Sequence, residues 1–515
     1  MLFKSLPMMV NMESQNLSIR MKPLTVVITH SPEPLFEETL SSLTKSGLVE
    51  DVVIVSQESV HLKTPKCHVL TAGPLTSSET LNLILAGVRT KFIIFLPGAK
   101  QIMIEPETLE KFLSKAESIE AGLVYSDFYD GKEFGKTLHP LNDYQLGSVR
   151  DDFNFGAMIL FSIHAIQNTL KKNALIPAVK YAGLYDLRLK VSINHSVYHL
   201  KEPLYTVIET KEPPNNENIF IYVDPRNEVI QKEMEMVFTD YLNKIGAYLP
   251  SSHLREAEQT SESFPVEASV VIPVRNRKET IVEAVKSALS QETDFLFNVI
   301  VVDNHSTDGT PVVLADLAKQ YSSLRHIIPR RTDLGIGGCW NEALSHKACG
   351  RYAVQLDSDD LYNNKHTLQT MINMLRQGNY AMVIGSYTLV DFNLQEIPPG
   401  LIDHREWTNE NGYNNALRIN GLGAPRVFNT ALMRKIGFLN VSYGEDYAAA
   451  LRICREYRIG RIYESLYLCR RWSGNTDAAL SIEKANQNNA FKDKIRTVEI
   501  LARQKMNQST PSIMS

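Results

Sequence analysis

The sequence predicts an α/β fold in which two mostly parallel sheets follow each other along the chain. The first observation is a strand, helix, strand order at residues 24–55 that returns at residues 269–303. Strands that alternate with helices form parallel sheets, because a parallel pair needs a long crossover connection. The second observation is the length of 515 residues, which suits roughly two to four domains with large hydrophobic cores.

Each predicted element rests on a local pattern of apolar residues. Runs of Val, Ile, Leu and Phe predict strands, and apolar residues three and four positions apart predict helices. In chain order the elements are strand 24–28, helix 35–43, strand 51–55, strand 92–96, amphipathic helix 226–249, strand 269–273, helix 278–289, strand 299–303, strand 352–356 and a polar helix over 472–503. The Ser, Thr and charged residues of 250–266 predict a linker.

Three matching pairs of segments predict an internal duplication. In chain order they are Ile28 with Ile272, 92–96 with 352–356, and 185–186 with 445–446. The last two pairs are separated by more residues than the first, so we expect an insertion in the second copy, within 305–331.

The predicted organisation has two similar domains with a connection between them. The predicted segments are a poorly ordered start (1–20), a first domain (21–224), an amphipathic helix with a linker (225–266), a second domain (267–480), and a C-terminal helix and tail (481–515).

Composition excludes several classes of protein. Hydrophobic residues are 43% and charged residues 22%, which is typical of a folded globular chain. The net charge of −4 provides no basic surplus for phosphate binding, so we expect no nucleic-acid partner. Five cysteines without a metal-binding spacing predict reduced thiols in the cytoplasm. Because no apolar run approaches the roughly 18 residues of a membrane span, any membrane contact is expected to be peripheral, at the inner face.

Polar residues follow three consecutive predicted strands of the second half. Asp357 and Asp359 follow one strand, Asp303 ends another, and Arg275 and Asn276 follow a third. Parallel strands bring such residues to the carboxyl edge of the sheet, where α/β proteins bind ligands. Two carboxylates separated by one residue can bind a divalent cation that holds a diphosphate, although a solvated acidic turn has the same composition.

Two further segments each allow two interpretations. Gly335 and Gly337 have the spacing of a dinucleotide fingerprint, but Trp340 stands in place of its third glycine. Glu445 and Asp446 precede an apolar helix, where acids complement the helix dipole or serve as a general base.

Together, these motifs resemble the nucleotide-sugar-binding half of family 2 inverting glycosyltransferases. The matching stretches, from residue 269 to about 477, are VVIPVRN, VIVVDNHSTDGT, DLGIGGCWNEAL, LDSDD and GED. The resemblance implies the GT-A fold, which is Rossmann-like. It also implies a hexosyltransferase-type enzyme of cell-surface polysaccharide biosynthesis, with a divalent metal (Mn²⁺ or Mg²⁺) as cofactor. Its partners would be a nucleotide-diphosphate sugar, with UDP-sugars favoured, and a glycan or lipid-linked acceptor. The oligomeric state is not predicted.

The resemblance also implies a role for each matching residue. Asp446 would be the general base, Glu445 its neighbour toward the acceptor, and Arg471 the group that neutralises the departing diphosphate. The metal ligands would be Asp359 and Asp357. The residues implied to bind the nucleotide sugar are Pro273, Arg275, Asn276, Asp303, Gly337, Asn341, Asp357 and Ser358.

The chain departs from the family pattern at several positions. Leu468 replaces the Gln of processive synthases, and Trp472 replaces the His of many single-addition members, so Trp472 is expected either to stack on an acceptor sugar or to pack in the core. In the first copy, Pro97 and Ala99 replace the two metal-binding aspartates, whereas Asp186 remains. The first domain is therefore predicted to be a degenerate glycosyltransferase-like domain.

The sequence leaves one alternative function open and disfavours another. The alternative is a non-catalytic carbohydrate-binding or scaffolding protein built from two glycosyltransferase-like domains. A sugar-phosphate nucleotidyltransferase would carry a Gly-rich loop directly after its first strand, and no glycine occurs at 273–277.

Overall fold

The computed structural model describes residues 21–509 except 63, 99–100, 106, 133–134, 209–226, 259 and 476–479. The predicted N-terminal segment 1–20 and the end of the predicted tail lie outside the described residues. No helix within the described ranges is both long enough and apolar enough to cross a bilayer.

The described part of the first half forms a seven-stranded sheet and a four-stranded sheet. Its strands are β1 (Leu24–Thr29), β2 (Val49–Ser56), β3 (Cys67–Thr71), β4 (Phe92–Leu96), β5 (Gln101–Ile104), β6 (Leu123–Ser126), β7 (Phe128–Lys132), β8 (Gly135–His139), β9 (Ile159–Ser162), β10 (Val197–Leu200) and β11 (Tyr205–Ile208). Its helices are α1 (Pro34–Lys45), α2 (Ser78–Gly87), α3 (Thr108–Ser118), α4 (Ile163–Lys172) and α5 (Gly183–Asn194). The strand orders are β10-β6-β9-β4-β1-β2-β3 and β5-β11-β7-β8.

Helix α6 (Glu228–Lys244) joins this half to the second half, which contains one sheet of nine strands. The strands of this sheet are β12 (Ala268–Val274), β13 (Phe297–Asp303), β14 (Leu324–Ile327), β15 (Tyr352–Gln355), β16 (Leu361–Tyr362), β17 (Met382–Val390), β18 (Glu396–Ile402), β19 (Arg426–Asn429) and β20 (Ile459–Arg470). The helices are α7 (Ile281–Leu289), α8 (Thr310–Gln320), α9 (Ile336–Ser345), α10 (Thr367–Gly378), α11 (Gly412–Asn415), α12 (Thr430–Ile436), α13 (Glu445–Cys454) and α14 (Ile482–Ser509). The order is β14-β13-β12-β15-β19-β17-β20-β16, with β18 on β17.

The two large sheets share a strand order and the direction of each pairing. In both, four parallel strands (β3-β2-β1-β4 and β14-β13-β12-β15) meet one antiparallel strand (β9 or β19). A further parallel pair follows, β6 with β10 and β17 with β20. The prediction of an α/β fold with large, mostly parallel sheets is confirmed.

The registers of the two sheets also correspond. Phe92 of β4 pairs with Ser162, whose side chain caps α4. Tyr352 of β15 pairs with Asn429, whose side chain caps α12. Helix α8 lies within the predicted insertion 305–331, and no helix joins β2 to β3 in the described residues there. These correspondences support the internal duplication, which stays a prediction.

The predicted linker 250–266 runs along the second half. The Arg255 N–H donates to the Glu456 carbonyl (3.0 Å), and the Ala257 N–H donates to the Asn379 carbonyl (2.8 Å). The polar composition correctly indicated a segment that contributes little to a hydrophobic core. It gave no sign that the backbone of this segment is hydrogen-bonded to the second half.

The two halves share one hydrophobic cluster. It contains Tyr185 and Leu189 of α5, Phe238 and Tyr241 of α6, and residues of the second half such as Tyr447. The cluster includes Ile500 of α14, a helix that the sequence predicted only as a polar tail. The charged side chains of α14 that are buried are Lys492, Asp493, Arg496, Glu499 and Arg503.

Candidate active site

A cavity of about 710 Å³ opens at the carboxyl edge of the nine-stranded sheet. Residues of 273–277, at the end of β12, and of 357–360, after β15, line it. Further lining residues come from 421–428, 442–446 and 469–475. The parallel strands therefore deliver their terminal polar residues to one space, as the sequence predicted.

Asp357 and Asp359 both line this cavity, in different surroundings. Asp357 accepts hydrogen bonds from the Gln355 amide (3.1 and 3.2 Å), and burial raises the pKa of its carboxyl group. Asp359 accepts from the Trp472 indole N–H (3.0 Å) and the Asn475 amide (3.3 Å). Trp472 is half-buried rather than packed in the core, and the expectation that its ring stacks on an acceptor sugar stays a prediction.

The donor set of this turn fits a divalent cation that is shared with a ligand. No group of three or more His, Cys, Asp or Glu side chains suited to a metal occurs in the described part of the chain. Asp357 and Asp359 supply carboxylate oxygens from one side only. Mg²⁺ commonly takes one or two carboxylates and completes its coordination with phosphate oxygens and water, so these residues suit a metal bound together with a diphosphate.

Asp446 lines the cavity at the start of α13 and is held by an arginine. The Arg426 Nη2 atom lies 2.7 Å from Asp446 Oδ2, and the Tyr447 N–H donates to Asp446 Oδ1 (2.7 Å). Burial favours a higher pKa for Asp446, but Arg426, Lys492 and these N–H groups outweigh it and hold the pKa below its usual value. The Asp446 side chain keeps 34% exposure, so its ionised oxygens remain accessible from the cavity.

Arg426 also connects Asp446 to the turn that carries Asp357. The Arg426 Nη1 atom donates to Gln355 Oε1 (3.2 Å), and the Gln355 amide donates to Asp357. Sequence reasoning missed both connecting residues. A polar Gln in an apolar strand was an available signal for Gln355, but Arg426 arrives on the antiparallel strand β19, which the motifs do not cover.

Glu445 is buried beside Asp446 and carries an oxygen without a hydrogen-bond partner. Its side-chain Oε2 finds none in the described residues. Burial, together with the negative charge of Asp446, raises the pKa of Glu445 to about 8. The carboxyl group is therefore neutral at neutral pH and can donate a hydrogen bond as well as accept one.

We expect Glu445→Gln to raise the melting temperature relative to the wild type above pH 8, with no gain near pH 4.5. In the folded chain Glu445 ionises only near pH 8, whereas its ordinary pKa is 4.5. Its contribution to stability is therefore complete below pH 4.5 and is lost as the pH rises toward 8. Glutamine does not ionise and avoids this loss. Thermal melts of both proteins across this range measure the difference, and a difference independent of pH would contradict the prediction.

The predicted nucleotide-binding residues divide into two groups. Pro273, Arg275, Asn276 and Ser358 line the cavity. Asp303 does not: its fully buried carboxylate accepts from the Ser306 N–H (2.9 Å) and lies 3.3 Å from His326 Nε2. Burial favours a higher pKa for Asp303, but His326 and Ser306 outweigh it and lower the pKa.

Gly337 and Asn341 also lie outside the cavity lining, and both hold the loop before α13. A Cβ atom at Gly337 would lie 1.9 Å from the Leu439 carbonyl oxygen, so helix α9 can approach this loop only with glycine there. The Asn341 side chain accepts from the Phe438 N–H and donates to the Phe438 carbonyl (2.9 Å each). The glycine motif therefore positions the segment that leads to Glu445.

The two neighbouring arginines after β20 have different surroundings. Arg471 lines the cavity, and its role toward a diphosphate stays a prediction. Arg470 is buried, donates through its backbone N–H to Asp360 (2.8 Å), and binds Glu283 with its guanidinium group. Arg470 thus helps to hold the turn at 357–360 in place.

In the first half, the position that the sequence pairs with Asp446 is closed to ligands. Asp186 is 1% exposed and is bound by Lys190 (2.7 Å) and the Ile176 N–H (2.8 Å). The Tyr185 hydroxyl donates to the Val149 carbonyl (2.6 Å). These partners leave Asp186 no access to a ligand, and Ala99 of the degenerate turn lies outside the described residues.

A family model and several known proteins resemble parts of the chain. Residues 269–438 match the model of the family described as Glycosyl transferase family 2. An uncharacterized protein of Mycobacterium tuberculosis is 32% identical over 107 residues, which is 21% of this chain and 31% of that protein. The putative glycosyltransferase EpsE of Bacillus subtilis is 31% identical over 122 residues, which is 24% of this chain and 43% of EpsE. The match thus spans less than half the length of these relatives.

A solved structure shows a more distant similarity. The Staphylococcus aureus TarS 1–349 complex with UDP-GlcNAc is 22% identical, with a TM-score of 0.35, and the match covers 47% of this chain and 73% of that one. The family that the motifs indicated is confirmed for the matched segment, and the chain therefore contains a family 2 glycosyltransferase domain at residues 269–438.

Proposed function

We propose that this chain is a metal-dependent, inverting glycosyltransferase of the cytoplasm. It transfers a sugar from a nucleotide-diphosphate donor, with UDP-sugars favoured, to a hydroxyl of a glycan or lipid-linked acceptor. One observation carries the proposal: a single cavity is lined by Asp357 and Asp359, which lie in the segment that matches family 2, and by Asp446 and Arg471, which follow that segment. Two carboxylates suited to a metal, a carboxylate suited to act as a base, and a guanidinium group suited to bind the leaving diphosphate thus face one cavity.

The donor is held at the edge formed by β12 and β15. Asp357 and Asp359 hold the divalent cation, which supplies positive charge to the diphosphate when it is bound. Arg275 and Asn276 line the same side of the cavity. Arg471 offers a planar guanidinium group that binds phosphate oxygens well.

Asp446 acts as the general base of a single displacement. The acceptor hydroxyl attacks the anomeric carbon, its proton passes to an Asp446 carboxylate oxygen, and the bond from that carbon to the diphosphate oxygen breaks. Attack opposite the leaving group inverts the anomeric configuration. Arg426 keeps Asp446 ionised and oriented, so the base is ready before the acceptor arrives.

A nucleotide-sugar panel with the full-length protein tests the proposal. UDP-sugars and GDP-sugars are each tested with Mn²⁺, with Mg²⁺ and without metal, by thermal shift and by nucleotide release. We expect stabilisation only when metal and nucleotide are both present, by about 2.7 kcal/mol at a hundred times the dissociation constant.

Asp359→Ala is expected to abolish this stabilisation, whereas Asp316→Ala, on the exposed surface of α8, should retain it. The absence of both binding and transfer across the panel would contradict the proposal. It would instead favour the carbohydrate-binding or scaffolding alternative.

A further inference from the structure

Helix α14 lies between the first half and the cavity. On one side, its Thr497 hydroxyl accepts from the Gly147 N–H (2.8 Å), and its Asp493 carboxylate accepts from the Ser148 hydroxyl (2.9 Å). A Cβ atom at Gly147 would lie 2.0 Å from the Asp493 carbonyl oxygen. The loop of the first half therefore packs directly against the backbone of α14.

On its other side, α14 binds two segments that adjoin lining residues of the cavity. The fully buried Arg496 donates to the Leu417 carbonyl (2.8 Å), the Ile419 carbonyl (2.9 Å) and the Tyr447 hydroxyl (3.0 Å). Lys492 donates to the Asn420 carbonyl (2.6 Å). These bonds join the loop at 417–421 to the start of α13, which carries the proposed base.

Lys492 lies beside the pair Glu445 and Asp446. Its Nζ atom is 4.6 Å from the ring centre of Tyr443 and 5.5 Å from that of Tyr447, the residues on either side of the pair. Burial lowers the pKa of Lys492 to about 8, although the charge of Asp446 opposes this. An ammonium group buried at this position costs folding free energy, which a role in packing alone would not require.

We propose that Lys492 is a positioning residue for Asp446. Its ammonium group, held between two tyrosine rings by the Asn420 carbonyl, stabilises the negative charge of the Asp446 carboxylate and fixes the loop at 417–421 beside it. The inference rests on the proposed function, in which Asp446 is the base. It makes the C-terminal helix part of the active site.

Charged groups reach Asp446 from four elements. Arg426 comes from β19, Lys492 from α14, Glu445 from α13 itself, and Asp357 from the turn after β15. Lys492 is in turn faced by two further cations, Arg496 and Arg150. With Lys492 removed, Arg426 is left to oppose two neighbouring acids.

Three full-length variants test this role: Lys492→Met, Lys492→Arg, and Lys494→Met as an exposed control on the same helix. Release of UDP from UDP-glucose and UDP-GlcNAc with Mn²⁺ is measured against pH, and UDP binding is measured by calorimetry. For Lys492→Met we expect the acidic limb of kcat/KM to move up by about one pH unit, with kcat about tenfold lower on that limb. The KM for the donor and the affinity for UDP should stay unchanged. Lys492→Arg should restore the profile.

The outcomes separate this inference from the proposed function. If the wild-type protein releases UDP and the pH profile of Lys492→Met equals that of Lys494→Met, the inference is overturned and the proposed function is not. Loss of UDP binding together with kcat in Lys492→Met also overturns it, because the residue then supports the fold or the donor site. A wild-type protein inactive with every nucleotide sugar overturns the proposed function and this inference with it. A melting temperature for Lys492→Met at or above that of the wild type supports it, because the burial of an ammonium group is then relieved.

Discussion

Asp446→Asn is expected to lower turnover by about 10² to 10⁴ while the affinity for UDP and Mn²⁺ stays near that of the wild type. Asparagine keeps the shape of the side chain but cannot accept the proton of the attacking hydroxyl. Asp446 reaches the turn that carries Asp357 only through Arg426 and Gln355, which both remain in the variant, so we expect the diphosphate side to keep its ligands. Steady-state kinetics and calorimetry with UDP and Mn²⁺ measure the two effects separately.

Asp359→Ala provides the complementary pattern, because it should weaken nucleotide and metal together. Asp446→Asn also breaks the ion pair with Arg426, so a melting curve must show that the variant is folded. Near-normal transfer by a folded Asp446→Asn protein would remove Asp446 as the base. Glu445 would then be the candidate, since it lines the same cavity beside Asp446 and its pKa would fall once the charge of Asp446 is removed.

The motifs predicted the carboxylates of the cavity because strand order decides where they meet. Asp357 and Asp359 follow one strand and Arg275 follows its neighbour, so the parallel pairing of β12 with β15 is enough to bring them together. Asp446 was reached through the family pattern at the start of a helix. The placement of Asp357, Asp359 and Arg275 needed only periodicity and topology, whereas Asp446 needed the family pattern.

Residues that act through long-range packing could not be predicted in this way. Arg426 enters on an antiparallel strand inserted between β15 and β17, and nothing near it in sequence indicates the ion pair with Asp446. Lys492 lies in a helix so rich in polar residues that solvent exposure was the natural expectation. Gly337 and Asn341 match a ligand-binding motif, yet their partners are Leu439 and Phe438, which only the folded loop brings near.

The first half resembles the second in the order of its strands, but its counterpart of Asp446 is closed off. Its large sheet has the same strand order, but Asp186 is bound internally by Lys190. Its contacts with the second half are buried and specific: the guanidinium group of Arg418 binds Asp151 (2.8 Å) and Gln231 of α6 (2.8 Å). These contacts support a structural role for the first half in holding the catalytic domain.

Asp493→Ala is expected to lower the free energy of unfolding by about 3 to 5 kcal/mol, the usual effect of removing one partner of a buried ion pair. Asp493 is fully buried and accepts from Ser148 and Arg150 of the first half and from Arg496 of its own helix. Its loss leaves two buried guanidinium groups without this carboxylate. The matched control is Asp316→Ala, which removes only an exposed pair with Lys319 and should leave stability unchanged within error.

Denaturant unfolding of both variants, followed by nucleotide release, decides what the contact between the halves does. Because Arg496 also binds the Tyr447 hydroxyl and the loop at 417–421, loosening Asp493 should lower turnover even at temperatures where the variant stays folded. If Asp493→Ala unfolds and reacts like Asp316→Ala, the first half is tethered to the catalytic domain without supporting it. A large loss of stability with normal turnover below the melting temperature would confine the contact to folding. Loss of both stability and turnover would mean that the first half, through α14, supports the active site itself.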